Sequence, residues 1–273
     1  MPYREKQFIG GEYLECKVYP ITFMERKCKK SNKKRRRKES LPKQKNLNEK
    51  NSKGALRRTI ECNFTFRDWF ATLGWTDEKR PKTEERMSKD LKNFFERLRR
   101  FLKRNNREEL KYIYVIEYDE NINLHIHMII NNVVSIEELQ KIWGNGNVDA
   151  KHLREDDLGY EGLAEYLAKD PKGKKRWVPS RNLDRADIAT DDFKFNNKKI
   201  RELVQCQGDR EFIRKLYPGY TLKYFEVNFN EINSKYYINL RLKKEKGNTE
   251  VRKRKIKNKR KNWYFKTSSY KNI

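Results

Sequence analysis

Residues 111–130, KYIYVIEYDENINLHIHMII, decide the fold that we expect for this chain. Two runs rich in β-branched and aromatic residues, at 111–118 and 124–130, flank the mostly polar segment DENIN, which is typical of a β-hairpin. Because side chains alternate between the faces of a strand, His125 and His127 project from the same face. The apolar residues that alternate with them project from the other face, into the predicted core.

The hairpin also places an acidic residue beside the two histidines. If its turn is centred on Asn121, Glu117 lies opposite His125, with Cβ atoms about 5 Å apart. A His-x-His pattern on a strand is often structural, but the match with Glu117 and the scarcity of histidine favour a metal site. We expect Glu117, His125 and His127 to bind Mg²⁺ or Mn²⁺ and to leave positions open for water or phosphate; this mixed donor set does not distinguish the two metals. The third histidine, His152, has no partner and is interpreted as structural.

The segment GLAEYLAKDP, residues 162–171, supplies the second chemical motif. On a helix, Tyr166, Lys169 and Asp170 share one face. A tyrosine hydroxyl with an unperturbed pKa of about 10 is a poor nucleophile, and a nearby metal and lysine would both favour its phenolate. The Y-x-x-K pattern alone is common and indicates only a core tyrosine and a solvated lysine. Downstream of the metal hairpin, however, we expect Tyr166 to be the nucleophile and Lys169 to steady the phosphate or the phenolate, whereas Tyr160 is rotated away.

Most of the formal net charge of +27 lies in two segments of the 273-residue chain. Residues 26–58 carry a net charge of +14 and residues 241–273 carry +12, while the rest is nearly neutral. Such segments attract nucleic acid through counterion release, although a solvated tail is the simpler alternative. The residues that we expect to contact phosphates without base specificity are Lys33, Lys34, Arg35, Arg36, Arg37, Lys38, Arg252, Lys253, Arg254 and Lys255.

Several protein classes do not fit the sequence. It has no apolar run of 18 residues and no apolar secretory leader, and neither basic segment has an amphipathic apolar stripe, so we expect no membrane association. Its four cysteines lack CxxC spacing, which argues against a disulfide framework and a zinc ribbon. The sequence contains no GxxxxGK[ST] motif, so it gives no indication of an attached helicase. We therefore expect a cytoplasmic protein without a small-molecule substrate.

The order of predicted elements favours an α+β, ferredoxin-like fold with a five-stranded antiparallel sheet and helices on one face. Beyond the hairpin, the predicted strands are residues 12–19, 60–66, 147–153, 220–229 and 235–242. The predicted helices are 88–104, 136–143 with a Ser135–Glu138 capping box, and 159–169. The predicted segments are a short N-terminal strand segment (1–25), a flexible basic arm (26–58), the catalytic domain (59–240) and a basic tail (241–273).

Three motifs together resemble the HUH endonucleases, specifically rolling-circle replication initiators of the phage and plasmid Rep class. These motifs are NFTF at 63–66 for the first motif (a strand near the active site), HIHM at 125–128, and YLAK at 166–169. Two further stretches, NLNEKN at 46–51 and KRWVPSRNL at 175–183, are similar to initiators of phage-like elements in low-GC Gram-positive bacteria. The resemblance implies that the tyrosine nicks one DNA strand, forms a 5′-phosphotyrosine link and frees a 3′-OH that primes replication.

The resemblance also implies which partners the protein has, and it leaves two alternative functions open. Some relatives carry Y-x-x-K-Y, whereas Asp170 occupies the place of the second tyrosine here, which indicates a single-tyrosine enzyme. The implied partners are single-stranded DNA of an origin hairpin, a host helicase and a polymerase in a bacterial cytoplasm. A single-tyrosine transposase shares this motif order. A non-catalytic nucleic-acid-binding protein with an RNA-recognition-like sheet is the other alternative, but it needs stacking aromatics on the sheet face where Glu117, His125 and His127 are predicted.

Overall fold

The structure, a computed structural model, describes residues 2–23, 25, 42–119, 122–168 and 177–245. Within these ranges the chain has an α+β fold, as predicted, with two five-stranded antiparallel sheets and six α-helices. The strands are β1 (Tyr3–Gly10), β2 (Tyr13–Pro20), β3 (Trp69–Gly74), β4 (Tyr112–Asp119), β5 (Ile122–Ile130), β6 (Val148–His152), β7 (Val178–Pro179), β8 (Asp187–Asp191), β9 (Tyr220–Asn230) and β10 (Lys235–Lys244). The helices are α1 (Pro42–Asn63), α2 (Glu84–Arg104), α3 (Ile136–Trp143), α4 (Glu161–Leu167), α5 (Asn197–Gln205) and α6 (Arg210–Leu216). No helix in the described ranges is long and apolar enough to cross a membrane.

The first sheet has the strand order β6-β3-β5-β4-β7, with β5 in the middle. Strands β4 and β5 form the predicted hairpin, and its register pairs Glu117 with His125, which confirms the pairing expected from the turn position. On the opposite face of β5, Ile126 and Met128 are fully buried in a hydrophobic cluster. The alternation predicted from the sequence therefore separates a core face from a polar face at this end of the sheet.

Helices α2 and α3 cover the core face. Helix α2 begins about one turn before the predicted N-terminus at residue 88, because Thr83 caps it by accepting a hydrogen bond from the backbone N–H of Arg86. Its residues Leu91, Phe94 and Leu98 recur at helical spacing and are buried against the sheet. Helix α3 begins with the predicted capping box, in which Ser135 and Glu138 bond to each other's backbone N–H groups.

Helix α1 lies on the other face, so helices cover both faces of this sheet rather than one. The predicted strand 60–66 is wrong: α1 continues to Asn63, and a loop follows it. Leu56, Ile60 and Phe64 recur every four residues and are buried with Ile113 and Ile129 of the sheet. Their four-residue spacing is compatible with a helix, whereas their residue types favour a strand. Packing of these side chains against the sheet selects the helix.

The two basic segments contain more regular structure than the sequence predicts. Residues 42–58 of the predicted flexible arm belong to α1, and residues 26–41 lie outside the described residues. The start of the predicted basic tail, at Arg241, lies in β10, and residues 246–273 lie outside the described residues. In the described part of each segment, apolar side chains such as Leu56 and Leu242 are buried.

The second sheet, with strand order β8-β1-β2-β10-β9, joins the two ends of the described chain. Strand β2 confirms the short strand predicted at 12–19, but β1 precedes it and the two form a hairpin. The predicted hairpin of β9 and β10 is also present, and it belongs to this sheet rather than to the one with the histidines. Cys16, Ile238 and Leu240 lie in the core of this sheet beneath α5 and α6.

A buried cluster of charged side chains connects the second sheet to the helices of the first. Arg57 of α1 donates a hydrogen bond to Glu15 of β2, which also accepts one from Arg58 at 2.8 Å. Arg241 of β10 donates to Glu161 in the first turn of α4, and Nη1 of Arg57 lies 3.7 Å from the same carboxylate. Removing one partner of such a buried pair leaves an uncompensated charge at a cost of about 3–5 kcal/mol. The cluster therefore fixes α4 against both α1 and β10.

The hairpin of β9 and β10 offers a matched test of the second core. Ile238 is 1% exposed, so we expect Ile238→Ala to lower the free energy of unfolding by about 2–5 kcal/mol in urea denaturation. Ile232, in the turn of the same hairpin, is 97% exposed, and Ile232→Ala should change it by less than about 0.5 kcal/mol. Equal losses in the two variants would contradict the packing described for this sheet.

Candidate metal centre and tyrosine

Three potential metal ligands meet on the polar face of the first sheet. Oε2 of Glu117 lies 2.7 Å from Nε2 of His127 and 3.2 Å from Nε2 of His125. One potential ligand atom from each residue lies within 4.8 Å of the other two. The β4–β5 register creates this arrangement, because it sets the carboxylate directly across from one imidazole and diagonally across from the other.

Strand β3 supports His127 from the other side. Thr72 pairs with His127 across the two strands, and its Oγ1 lies 3.2 Å from Nδ1 of that imidazole. The ring of Phe70 stacks on the same imidazole at a centroid distance of 5.8 Å. The hydrogen bond of Nε2 with the Glu117 carboxylate needs the proton on Nε2, and Thr72 then donates to Nδ1. In the other tautomer, Thr72 would accept a hydrogen bond from Nδ1–H and leave the lone pair of Nε2 for a metal, which is the usual orientation of a metal-binding histidine. Thr72 belongs to no sequence motif, and only the register between β3 and β5 places it beside His127.

The environment favours the protonation states that bind metals. Burial lowers the pKa of His127, although its hydrogen bond with Glu117 acts in the opposite direction. The same hydrogen bond lowers the pKa of Glu117, with smaller contributions from the electrostatic interactions of its carboxylate with His127 and His125. Near neutral pH the site therefore presents a neutral imidazole at His127 and an ionised carboxylate at Glu117, as metal coordination requires.

Tyr166 brings a hydroxyl group to the edge of this cluster. Its hydroxyl lies 3.1 Å from Nε2 of His127, and its ring meets the edge of the Phe70 ring at a centroid distance of 6.2 Å. The side chain is 49% exposed, so a substrate can reach the hydroxyl from solvent. Partial burial and the charge of Glu117 raise the pKa of Tyr166, so the phenol is protonated near neutral pH.

The packing of α4 explains why Tyr166 and not Tyr160 reaches the cluster. Ala164 and Leu167 are buried against the apolar part of the sheet, which turns Tyr166 toward the histidines. Tyr160 lies at the N-terminal end of the helix, is 1% exposed, and its hydroxyl has no hydrogen-bond partner among the described residues. Burial strongly raises the pKa of Tyr160.

The other predicted site residues divide into two groups. His152 lies apart from the cluster, stacks on Trp69 at a centroid distance of 4.0 Å, and has Nδ1 3.0 Å from the carbonyl oxygen of Arg67. The predicted first-motif strand at 63–66 is wrong, and β3, which begins at Trp69, is the strand that pairs with β5 on the side away from β4. The predicted residues outside the described part of the chain are Lys169, Asp170, Lys33, Lys34, Arg35, Arg36, Arg37, Lys38, Arg252, Lys253, Arg254 and Lys255.

Comparison with known proteins relates part of the chain to a family of replication-associated proteins. Residues 68–171 match the family model described as Replication-associated protein ORF2/G2P. The matched segment starts one residue before β3 and contains Glu117, His125, His127 and Tyr166. No curated protein and no solved structure matches the chain. The family match supports a role for this protein in the initiation of replication.

Proposed function

We propose that this protein is a rolling-circle replication initiator of the HUH endonuclease type, which nicks single-stranded DNA with Tyr166. The observation that carries the proposal is the 3.1 Å distance between the Tyr166 hydroxyl and Nε2 of His127, at the edge of a cluster of three side chains that could bind a metal ion. The family match of residues 68–171 supports the replication role. The proposal adds the chemistry and the nucleophile.

The donor set of the cluster fits a divalent cation. Two imidazole nitrogens and one carboxylate oxygen suit Mg²⁺ or Mn²⁺, with Glu117, His125 and His127 as the ligands. Such a cation would polarise the scissile phosphate and offset the negative charge that builds on its oxygens. Thr72 and Phe70 would hold the His127 ring in place, so that its Nε2 is available without a change of rotamer.

Tyr166 would act as the nucleophile of a transesterification. Its oxygen bonds to the phosphorus, the bond from phosphorus to the 3′ oxygen breaks, the phenolic proton is lost, and the departing 3′ oxygen gains a proton. The products are a 5′-phosphotyrosine link and a free 3′-OH, which conserves the energy of the phosphodiester bond. Because burial and Glu117 raise the pKa of Tyr166, a nearby positive charge is needed to favour its phenolate. The divalent cation would be one source of that charge. We propose Lys169, three residues further along the chain, as the second source.

The proposed substrate is the single-stranded DNA of an origin hairpin. Lys33–Lys38 and Arg252–Lys255 would bind its phosphates without base specificity, since neither run contains an aromatic residue. With Asp170 in the place of a second tyrosine, the enzyme would use one tyrosine for its strand transfers. In the cytoplasm of a bacterial host, a helicase would separate the strands and a polymerase would extend the free 3′-OH.

Replacing the nucleophile tests the proposal directly. Tyr166→Phe removes one exposed hydroxyl and retains the packing volume, so the folded state and DNA binding should persist while the covalent adduct is lost. The measurement is a denaturing gel of labelled single-stranded origin DNA with Mn²⁺, followed by peptide mass mapping. Tyr160→Phe on the same helix is the control and should retain the adduct. An adduct that survives Tyr166→Phe would disprove the assignment, and cleavage without any adduct would indicate that water is the nucleophile.

The three histidines provide a matched test of the metal centre. We expect His125→Ala or His127→Ala to lower the affinity for Mn²⁺ by more than about 100-fold and to abolish nicking, because each removes a ligand. DNA affinity in EDTA should stay nearly unchanged. His152→Ala should retain both metal binding and nicking, since His152 lies apart from the cluster. Titration calorimetry with Mn²⁺ checks the affinity, and full nicking by either of the first two variants would reject the metal site.

We expect Thr72 to affect the metal affinity of the site although it is not one of the proposed ligands. Thr72→Val keeps the shape of the side chain but removes the hydroxyl beside Nδ1 of His127, so we expect the Mn²⁺ affinity to fall by about 10–100-fold. Thr72→Ser retains the hydroxyl and should retain most of the affinity. If both variants bind Mn²⁺ as tightly as the unmodified protein, Thr72 does not orient the imidazole.

A further inference from the structure

The open part of the polar face extends from the histidines toward β6, which is an edge strand of the first sheet. Helices α1 and α4 cover this face where they pack against Ile113 and Ile129. Gly74 of β3 is paired with His125, and the space above it is open: apart from its neighbours in the chain, a Cβ atom there would meet only the carbonyl oxygen of Asn147, at 3.8 Å. A DNA strand at the metal centre can therefore continue over β3 toward β6.

Lys151 of β6 is a positively charged side chain at the end of this path. Among the described residues it is the one lysine or arginine that strands β3–β6 place on the polar face, directly across from Phe70. The side chain is exposed, and its Nζ lies 5.7 Å from the centre of the Phe70 ring. Its ammonium forms no ion pair with a described residue. Lys151 is therefore available to bind an anion.

The one acidic residue of β6 does not neutralise Lys151. Asp149 lies two residues earlier on the same face, across from Thr72. Positions two apart on a strand are separated by about 6.6 Å, and no ion pair joins the two side chains. A carboxylate repels phosphate, so Asp149 would direct a bound phosphate toward the Phe70 side of Lys151. Glu117, the other carboxylate on this face, belongs to the proposed metal site, where the divalent cation would offset its charge.

The ring of Phe70 lies between Lys151 and the proposed nucleophile. It stacks on His127 at a centroid distance of 5.8 Å and meets the edge of the Tyr166 ring at 6.2 Å. Strand β6 is two strands away from β5, which corresponds to about 10 Å. An extended single strand covers this distance within a few nucleotides. A DNA strand with its scissile phosphate at the metal centre would thus bring another phosphate to Lys151.

We propose that Lys151 binds a backbone phosphate of the single-stranded DNA within a few nucleotides of the nick. This contact sets the direction in which the strand leaves the metal centre, across β3 and β6. The inference rests on the proposed function of Tyr166, because both residues act on the same DNA strand. A lysine ammonium binds phosphate as a compact point charge, so the contact contributes to affinity and not to base recognition.

The test changes the charge of one lysine at a time. Lys151→Gln removes the charge, and Lys151→Arg retains it. Lys141→Gln is the matched control, because Lys141 is exposed on α3, which covers the other face of the first sheet. The rate of Tyr166 adduct formation with Mn²⁺ is measured against the concentration of labelled single-stranded origin DNA. Titration calorimetry with Mn²⁺ and thermal melting show that the metal site and the fold are intact in each variant.

We expect Lys151→Gln to raise the half-saturating DNA concentration about five- to tenfold, because a charge-assisted contact to phosphate is lost. The maximal rate and the affinity for Mn²⁺ should stay within about twofold, since this contact is the same before and during the reaction. Lys151→Arg should retain most of the DNA affinity, and Lys141→Gln should retain all of it. Equal half-saturating concentrations for Lys151→Gln and Lys141→Gln would overturn the proposal and leave Lys151 as a solvated lysine at a sheet edge.

A neutral methylphosphonate, moved one linkage at a time away from the nick, locates the phosphate. At one linkage near the nick it should weaken binding to the unmodified protein and to Lys141→Gln but not to Lys151→Gln, in which the partner of that phosphate is already absent. If no linkage behaves in this way, Lys151 does not bind a phosphate of this strand. An adduct that forms in that case retains the proposed function and rejects the Lys151 contact alone. Absence of any adduct with the unmodified protein rejects the proposed function and the Lys151 contact together.

Discussion

The backbone register between β4 and β5 is the constraint on which the candidate site depends. Glu117 and His125 are partners across the ladder, and His127 follows two residues later on the same face. A slip of one residue would turn the carboxylate into the core, because the side chains of a strand alternate with a period of two. Ile126 and Met128, buried on the opposite face, oppose such a slip. The packing that stabilises the first sheet therefore also determines the distances between the potential metal ligands.

Local patterns predict those parts of the fold whose partners are near in sequence. The hairpin register follows from one turn position, and the start of α3 follows from Ser135 and Glu138, which bond within one helical turn. The periodicity of Leu91, Phe94 and Leu98 predicts α2. Its first turn, which is capped by Thr83 and has Met87 as its one apolar residue, lies before the predicted start. In each case the contacts that decide the structure lie within a few residues of one another.

Long-range packing decides the features that the sequence does not predict. The residue type of Ile60 favours a strand, but Ile60 lies in a helix, because there its side chain packs against Ile113 and Ile129. Thr72 has no motif of its own and gains its role from a partner 55 residues away. The i, i+3 spacing of Tyr166 and Lys169 indicates a shared helical face but gives no distance to His127, which depends on the burial of Leu167.

The topology of the second sheet has a consequence for the order in which the chain assembles. All strands of the first sheet lie between Trp69 and Pro179, whereas β2 can find β10 only across more than 200 residues. Closing so large a loop costs more conformational entropy than the short connections of the first sheet, and such non-local pairing is slow. During synthesis, the β4–β5 hairpin and helix α4 emerge from the ribosome well before Arg241 does. The ion pair between Arg241 and Glu161, which ties that helix to the second sheet, thus forms only after almost all of the described chain has been made.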